Sequence, residues 1–221
     1  QRAQHIPGHT GLIRGLNYHS ALAAINDGKF DKEIAGVEIP QKKGDPVVFR
    51  VDEEPGRGNV SRLPSLKPAF QKDGTVTAGN ASTINDGAAA VVLMSAENAK
   101  TRGIKPLARI VGYSTASLEP MWFTVAPIDA IRKLLEKTGV DKDRVGLFEI
   151  NEAFAGVAVA ANVDWLSTRP GAVALGHPIG ASGARVLTTL LYAMEERKTA
   201  LGVASLCIGG GEAVAMLVER I

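Results

Sequence analysis

Residues 145–163, VGLFEINEAFAGVAVAANV, decide the architecture. The apolar run 145–150 predicts a strand, and the Ala-, Val- and Gly-rich run 152–163 predicts a tightly packed helix. A strand feeding a helix is the unit of an α/β layered fold. The pattern continues outward from there. Residues 107–112 predict a strand. Residues 128–138 predict an amphipathic helix with Ile128, Ile131, Leu134 and Leu135 on one face and Gly139 as its stop. Residues 182–197 predict another helix, and 201–206 and 213–218 predict strands around a triple glycine. Upstream, 18–30 reads as a short helix ended by Asp27-Gly28. Residues 33–39 and 46–51 read as strands joined by a turn at 42–45. Residues 52–67, with Pro55, Gly56, Gly58 and Pro64, read as a loop. Residues 88–94 read as a buried strand or helix, which periodicity does not separate.

The 221 residues, 45% hydrophobic with a net charge of +2, suffice for a core and exclude a disordered chain. The single cysteine, Cys207, excludes an internal disulfide and any zinc site needing two thiolates, and it favours a reducing compartment. The charge surplus is too small to argue for nucleic acid, and no apolar run has membrane-spanning length. The first fifteen residues are polar, hold three glycines and lack a signal-peptide core. The chain begins with Gln1, which is expected of a processed product or a fragment.

Three segments carry more polar punctuation than packing requires. Asn151-Glu152-Ala153-Phe154 follows a strand and opens a helix, as a site at a strand's carboxyl end would, or as a helix cap with an acidic first turn. Residues 176–183, GHPIGASG, precede a helix, so backbone N–H groups can converge there on an anion or oxyanion. The absence of a Lys-Ser/Thr pair excludes a P-loop. Residues 205–211, SLCIGGG, set the only thiol at the end of an apolar strand before glycines that expose N–H donors, or bury it as a small hydrophobe beside a hairpin. A histidine and a cysteine in two glycine-rich turns suit the acid/base pair of acyl transfer.

Four motifs resemble those of the thiolases, in order: GTVTAGNASTINDGAA at 74–89, NEAF at 151–154, ALGHPIGASGAR at 174–185 and CIGGG at 207–211. Within that family the likeness is to the mitochondrial-type, acetyl-transferring branch. It runs from about Tyr18 to the carboxyl end. The resemblance implies an α/β thiolase-like layered fold, here the carboxyl-terminal half plus part of the loop domain. Residues 1–17 would be unmatched, 18–95 would hold part of the loop domain and the end of the amino-terminal domain, and 107–221 would be the carboxyl-terminal domain.

The implied activity is reversible Claisen condensation of two acetyl-CoA to acetoacetyl-CoA and CoA. His177 would activate the acyl-accepting cysteine and, with Asn151 and a water, hold an oxyanion. Cys207 would move the α-proton, its pKa lowered by charge partners, and Gly209 would give its N–H to a second oxyanion hole. Arg57, Arg62, Ser82, Phe70 and Phe154 would contact coenzyme A, and Phe123 would narrow the acyl pocket. Tyr18, Ala78, Gly79, Ala81 and Val173 would hold a potassium ion. No cofactor is implied beyond coenzyme A as substrate and product. The implied partners are acyl-CoA and other copies of the chain, as a dimer or tetramer, with no nucleic acid and no membrane. The implied compartment is mitochondrial, with the cytoplasm as the alternative.

The chain departs from the family pattern in two places. No Cys-Gly-Ser-Gly-like segment exists to supply the nucleophile, because Cys207 is the only cysteine. Arg169-Pro170 stands where an Asn-Gly pair is expected, in a stretch several residues short. A broader 3-ketoacyl-CoA thiolase, a CoA- or partner-binding module without turnover, and a Cys207–His177 thioester hydrolase are the competing readings.

Overall fold

The computed structural model describes residues 9–164 and 172–221, with side chains from Tyr18 to Ala161 and from Ala174 onward. Arg169-Pro170 and the first eight residues lie outside the described residues. In chain order the elements are α1 (His9–Asn26), β1 (Val37–Ile39), β2 (Val47–Phe49), α2 (Glu54–Arg57), α3 (Ala96–Thr101), β3 (Ala108–Ser117) and α4 (Ala126–Thr138). They continue with β4 (Leu147–Ile150), α5 (Ala155–Asp164), α6 (Ala172–Leu175), α7 (Ser182–Arg197), β5 (Leu201–Ile208) and β6 (Glu212–Arg220). No described helix is long and apolar enough to cross a membrane.

The four-stranded sheet runs β3-β6-β5-β4; β4 and β5 are parallel and the other pairs antiparallel. Strand alternation divides the core into two layers. On one face Ile131 and Leu134 of α4 pack with Val157 of α5 against Phe148, Ile150, Val203, Ala215 and Leu217. On the other, Val186, Leu190 and Met194 of α7 pack against Leu147, Ala204 and Val218. Each such fully buried aliphatic side chain stabilises the fold by about 1.5–3 kcal/mol in transfer terms. The helix expected at 128–138 forms with Pro127 in its first turn, and it ends at Gly139 in the left-handed region.

Several expected elements shift at their ends. The helix expected from Tyr18 extends back to His9, and its buried contacts are Tyr18 and Ala21 on Ala174 of α6. The strands expected at 33–39 and 46–51 form a shorter hairpin, exposed along its length. Residues 88–94 are neither helix nor buried strand. They run without a ladder among the described residues, with Val92 84% and Leu93 68% exposed. An apolar run is buried only where another element offers a face, and none described does so here.

The β5–β6 hairpin closes through Gly209-Gly210-Gly211, of which Gly210 and Gly211 have positive φ. At Gly211 (φ 93) a Cβ would lie 2.2 Å from the Leu118 carbonyl oxygen, while the Leu118 N–H donates to the Gly211 carbonyl at 2.9 Å. Both the left-handed backbone and this contact demand glycine. Gly211→Ala is therefore expected to lower stability by about 3 kcal/mol in urea unfolding. A loss under about 0.5 kcal/mol, the range of an unconstrained surface change, would contradict the contact.

Candidate active site

The motif segments meet through main-chain hydrogen bonds. Asn80 shapes its own loop, its Oδ1 accepting from Thr77 N and its Nδ2 donating to Thr75 O, each at 2.8 Å. The Asn80 carbonyl then accepts from Ala155 N, and Ser82 donates to Ala153 O from both its N (3.0 Å) and its Oγ (2.8 Å). One residue on, Thr83 O accepts from His177 N at 3.0 Å, and Ile84 bridges His177 in parallel. Residues 80–85 thus tie the 151–154 turn to the histidine loop. Cys207 joins through the sheet: β4 and β5 pair Ile150 with Ser205, and Asn151 N donates to Ser205 O at 2.9 Å.

The Ser182 hydroxyl lies 2.6 Å from His177 Nδ1 and 3.0 Å from the Pro178 carbonyl. When the hydroxyl gives its one proton to the carbonyl, Nδ1–H donates to its oxygen and neutral His177 keeps its lone pair on Nε2. Burial, and then the Arg185 charge, push the His177 pKa below its ordinary 6.5. The ring is a neutral base at pH 7. Gly176 (φ 95) lets the loop pass Asn85, whose Oδ1 a Cβ would meet at 2.4 Å.

Asn151 is fully buried, and its Nδ2 has no hydrogen-bond partner among the described residues. Such an orphan donor costs about 1–3 kcal/mol until a ligand or water accepts from it. Cys207 lies at the carboxyl end of the neighbouring strand, and burial pushes its thiol pKa up, opposed only by its own backbone N–H. The expected charge partners of Cys207 are thus absent from the causes of its shift, and it rests as a protonated thiol. Strand alternation aims Asn151 toward α7 and Cys207 toward the opposite face. Gly209 sits exposed at the hairpin tip with no atom within 4 Å of where its Cβ would be.

The remaining expected residues divide. Phe123 and Phe154 meet edge to face, with ring centroids 5.8 Å apart. Ser82 spends its proton on Ala153. Arg57 pairs with Glu53 at 2.8 Å on the surface, Arg62 is exposed on the helical turn Val60–Ser65, and Phe70 is exposed. Tyr18 is buried against α6, which carries Val173, while Gly79 packs on Leu63 and Leu66 and Ala81 bridges Phe154. A groove of about 550 Å³ lies elsewhere, between α1 and α7, lined by Ser20, Ala24, Phe30 and Thr189, and none of the expected site residues lines it.

Sequence reasoning missed Glu149 and the role of Arg185. Arg185 of α7 donates to Glu149 Oε1 and to Asn151 Oδ1, each at 3.3 Å. The spacing of 149 and 151 along one strand, which sends both toward one face, was the available signal. Burial raises the Glu149 pKa to about 7 against the opposing Arg185 charge, and Glu152 and Glu33 raise it further.

A family model described as the thiolase C-terminal domain matches residues 104–220, and one described as the thiolase N-terminal domain matches 16–97. An acetyl-CoA acetyltransferase of Pseudomonas aeruginosa is 50% identical over 99% of this chain and 59% of its own length. The crystal structure of the Bacillus anthracis acetyl-CoA acetyltransferase superposes with a TM-score of 0.90 at 43% identity, covering 96% of this chain and 55% of that one. A thiolase of Ascaris suum in complex with coenzyme A superposes at 0.85 with 39% identity, with the same shares of each chain covered. The chain therefore spans little more than half the length of the proteins it matches. The implied mitochondrial compartment is overturned: the curated relatives at about 50% identity come from bacteria, which have no mitochondria, and the cytoplasmic alternative fits them better.

Glu149 makes stability depend on pH. Its carboxyl keeps the proton to about pH 7 when folded, against an ordinary 4.5. The folded state is thus favoured most below pH 4.5, and that contribution is lost as pH rises toward 7. Urea midpoints should fall across this window for the natural sequence and fall less for Glu149→Gln. Parallel pH profiles for the two would show that Glu149 titrates normally.

Proposed function

Because the chain belongs to the thiolase family, we propose that these residues supply the acid/base and oxyanion groups of an acetyl-CoA C-acetyltransferase. The observation that carries the reading is the joining of the 151–154 turn and the histidine loop by residues 80–85, with a neutral His177 in that loop. On this reading residues 18–95 close the amino-terminal domain and 107–221 form the carboxyl-terminal one. Cys207 is the only cysteine, so the acyl-accepting thiol comes from residues outside these 221.

The steps balance as proton transfers. His177 Nε2 takes the proton of the attacking thiol as the acyl group transfers to it, and returns it to the leaving CoA sulfur. In the synthetic direction Cys207 first gives its thiol proton to His177, whose earlier proton has gone to the leaving CoA. The thiolate then removes an α-proton of acetyl-CoA. The resulting carbanion attacks the acyl thioester, forming the carbon–carbon bond and expelling the acyl-accepting thiolate, which takes the proton held by His177. In the cleavage direction the buried Cys207 thiol gives that proton back to carbon, which its raised pKa suits. The Asn151 amide and the Gly209 N–H stabilise the enolate and tetrahedral oxyanions. The Phe123–Phe154 contact narrows the acyl path, which favours acetoacetyl over longer chains. Tyr18, Ala78, Gly79, Ala81 and Val173 offer mostly carbonyl oxygens, donors that suit a hard cation such as potassium.

Thiolysis of acetoacetyl-CoA and condensation of acetyl-CoA should be measured in the full-length protein that carries these residues. Cys207→Ala is expected to reduce both by on the order of 10²–10⁴-fold while the nucleophile still becomes acetylated. Undiminished condensation in Cys207→Ala would remove the assignment. Equal rates on long-chain 3-ketoacyl-CoA would favour the broader thiolase, and CoA binding without any turnover would favour the binding module. Replacing potassium by tetramethylammonium in the same assay should weaken turnover, and unchanged rates would dismiss the ion.

A further inference from the structure

Arg185 takes part in none of the proton transfers above, yet its side chain links α7 to the end of β4. It stands in the first turn of α7, directly after the histidine loop, with a side chain 21% exposed. Its Nη2 donates to Asn151 Oδ1 and its Nη1 to Glu149 Oε1, both at 3.3 Å. Glu149 precedes Asn151 by two residues, so the strand turns both toward α7. Its carboxylate is almost fully buried.

A guanidinium carries donors only. The atom of Asn151 that faces Arg185 must therefore be the oxygen, since a rotated amide would set NH₂ against N–H. The opposite end of the amide is then the NH₂ group, and that is the buried nitrogen without a partner among the described residues. A rotated amide would present its oxygen where an oxyanion is to be held, and would repel it.

We propose that Arg185, braced by Glu149, is a positioning residue that locks the Asn151 amide with its NH₂ group as the donor offered to the reacting oxyanion. The proposal rests on the reading of Asn151 as an oxyanion donor. Glu149 accepts from the guanidinium, and Asp52 also feels its charge. Glu152 and Glu33 act in turn on Glu149. A cation bonded to Glu149 suits this acidic surrounding better than a neutral donor would. A lysine is a point donor that cannot bond both residues in one plane, so Arg185→Lys restores only part of the effect.

The test is a double-substitution cycle in the full-length protein, with an orientation readout that needs no turnover. Arg185→Met is expected to lower kcat for condensation by about 10–100-fold with KM for acetyl-CoA changed less than about twofold. Arg185→Lys should recover part of that loss. Adding Asn151→Ala to Arg185→Met should cost little more than either change alone, because both remove one donor. Fully additive losses would overturn the proposal, and so would a loss confined to KM. Independently, ¹⁵N relaxation of the Asn151 side-chain amide should report a rigid group in the natural sequence and a mobile one, with shifted resonances, in Arg185→Met. An unchanged amide spectrum would overturn the positioning role. Glu149→Gln keeps the volume and serves if Arg185→Met does not fold; it should reduce kcat several-fold and broaden the same resonances, and neither change appearing would overturn it. A natural sequence with no transferase activity but a locked amide would remove the function proposed above and leave the positioning intact.

Discussion

Three main-chain contacts made by residues 80–85 govern the rest of the site. Neither the 151–154 turn nor the histidine loop belongs to the sheet, and nothing in the sheet's own hydrogen bonding fixes one against the other. Asn80, Ser82 and Thr83 do so by pairing with Ala155, Ala153 and His177. Buried main-chain donors and acceptors must be satisfied somewhere, so the segment that satisfies both loops also sets their separation. Asn80 is held in turn by its side chain bonding back to Thr75 and Thr77, which gives the connector a defined shape before it reaches either loop.

The sheet supplies the second fixed distance. The parallel pairing of β4 with β5 sets Asn151 beside Ser205 and two residues from Cys207. A one-residue slip would exchange the faces of every side chain on β4, bringing Leu147 and Glu149 into the α4 layer. Glu149 in that layer would be a carboxylate among Ile131, Leu134 and Val157 with no cation to face. Burial of a charged or polar group thus specifies the register as firmly as the apolar alternation does.

Among the described residues, one cation, Arg185, acts on several groups of the site. The surface pairs Lys32–Glu195 and Arg57–Glu53 contribute at most about 1 kcal/mol each, as exposed pairs do. Arg185 is different because its partners are buried. It acts on Glu149, Asn151 and His177 together, and its field helps keep His177 neutral. Cys207 receives no such charge, which is why its thiol pKa rises where a nearby cation would have lowered it. The family pattern named both groups without distinguishing these opposite environments.

Much of the architecture was legible in the order of residues. Period-3.6 and period-2 patterns identified α4, α7 and the β5–β6 hairpin, because each element's own side chains report the face it buries, and Gly139 and Gly211 marked turns that only glycine makes comfortably. The four motifs pointed to His177, Asn151 and Cys207 and to the acyl-transfer chemistry. What remained hidden depended on which face meets which across the fold. Arg185 reads locally as a helix-surface arginine, and its partners lie 34 and 36 residues away in sequence. Residues 88–94 read as core because they are apolar, yet burial belongs to a pair of surfaces and no described element supplies the second one. The sequence alone determined the elements and the reactive groups. Their protonation, orientation and exposure were decided by tertiary contacts, because each depends on neighbours that the local order of residues does not encode.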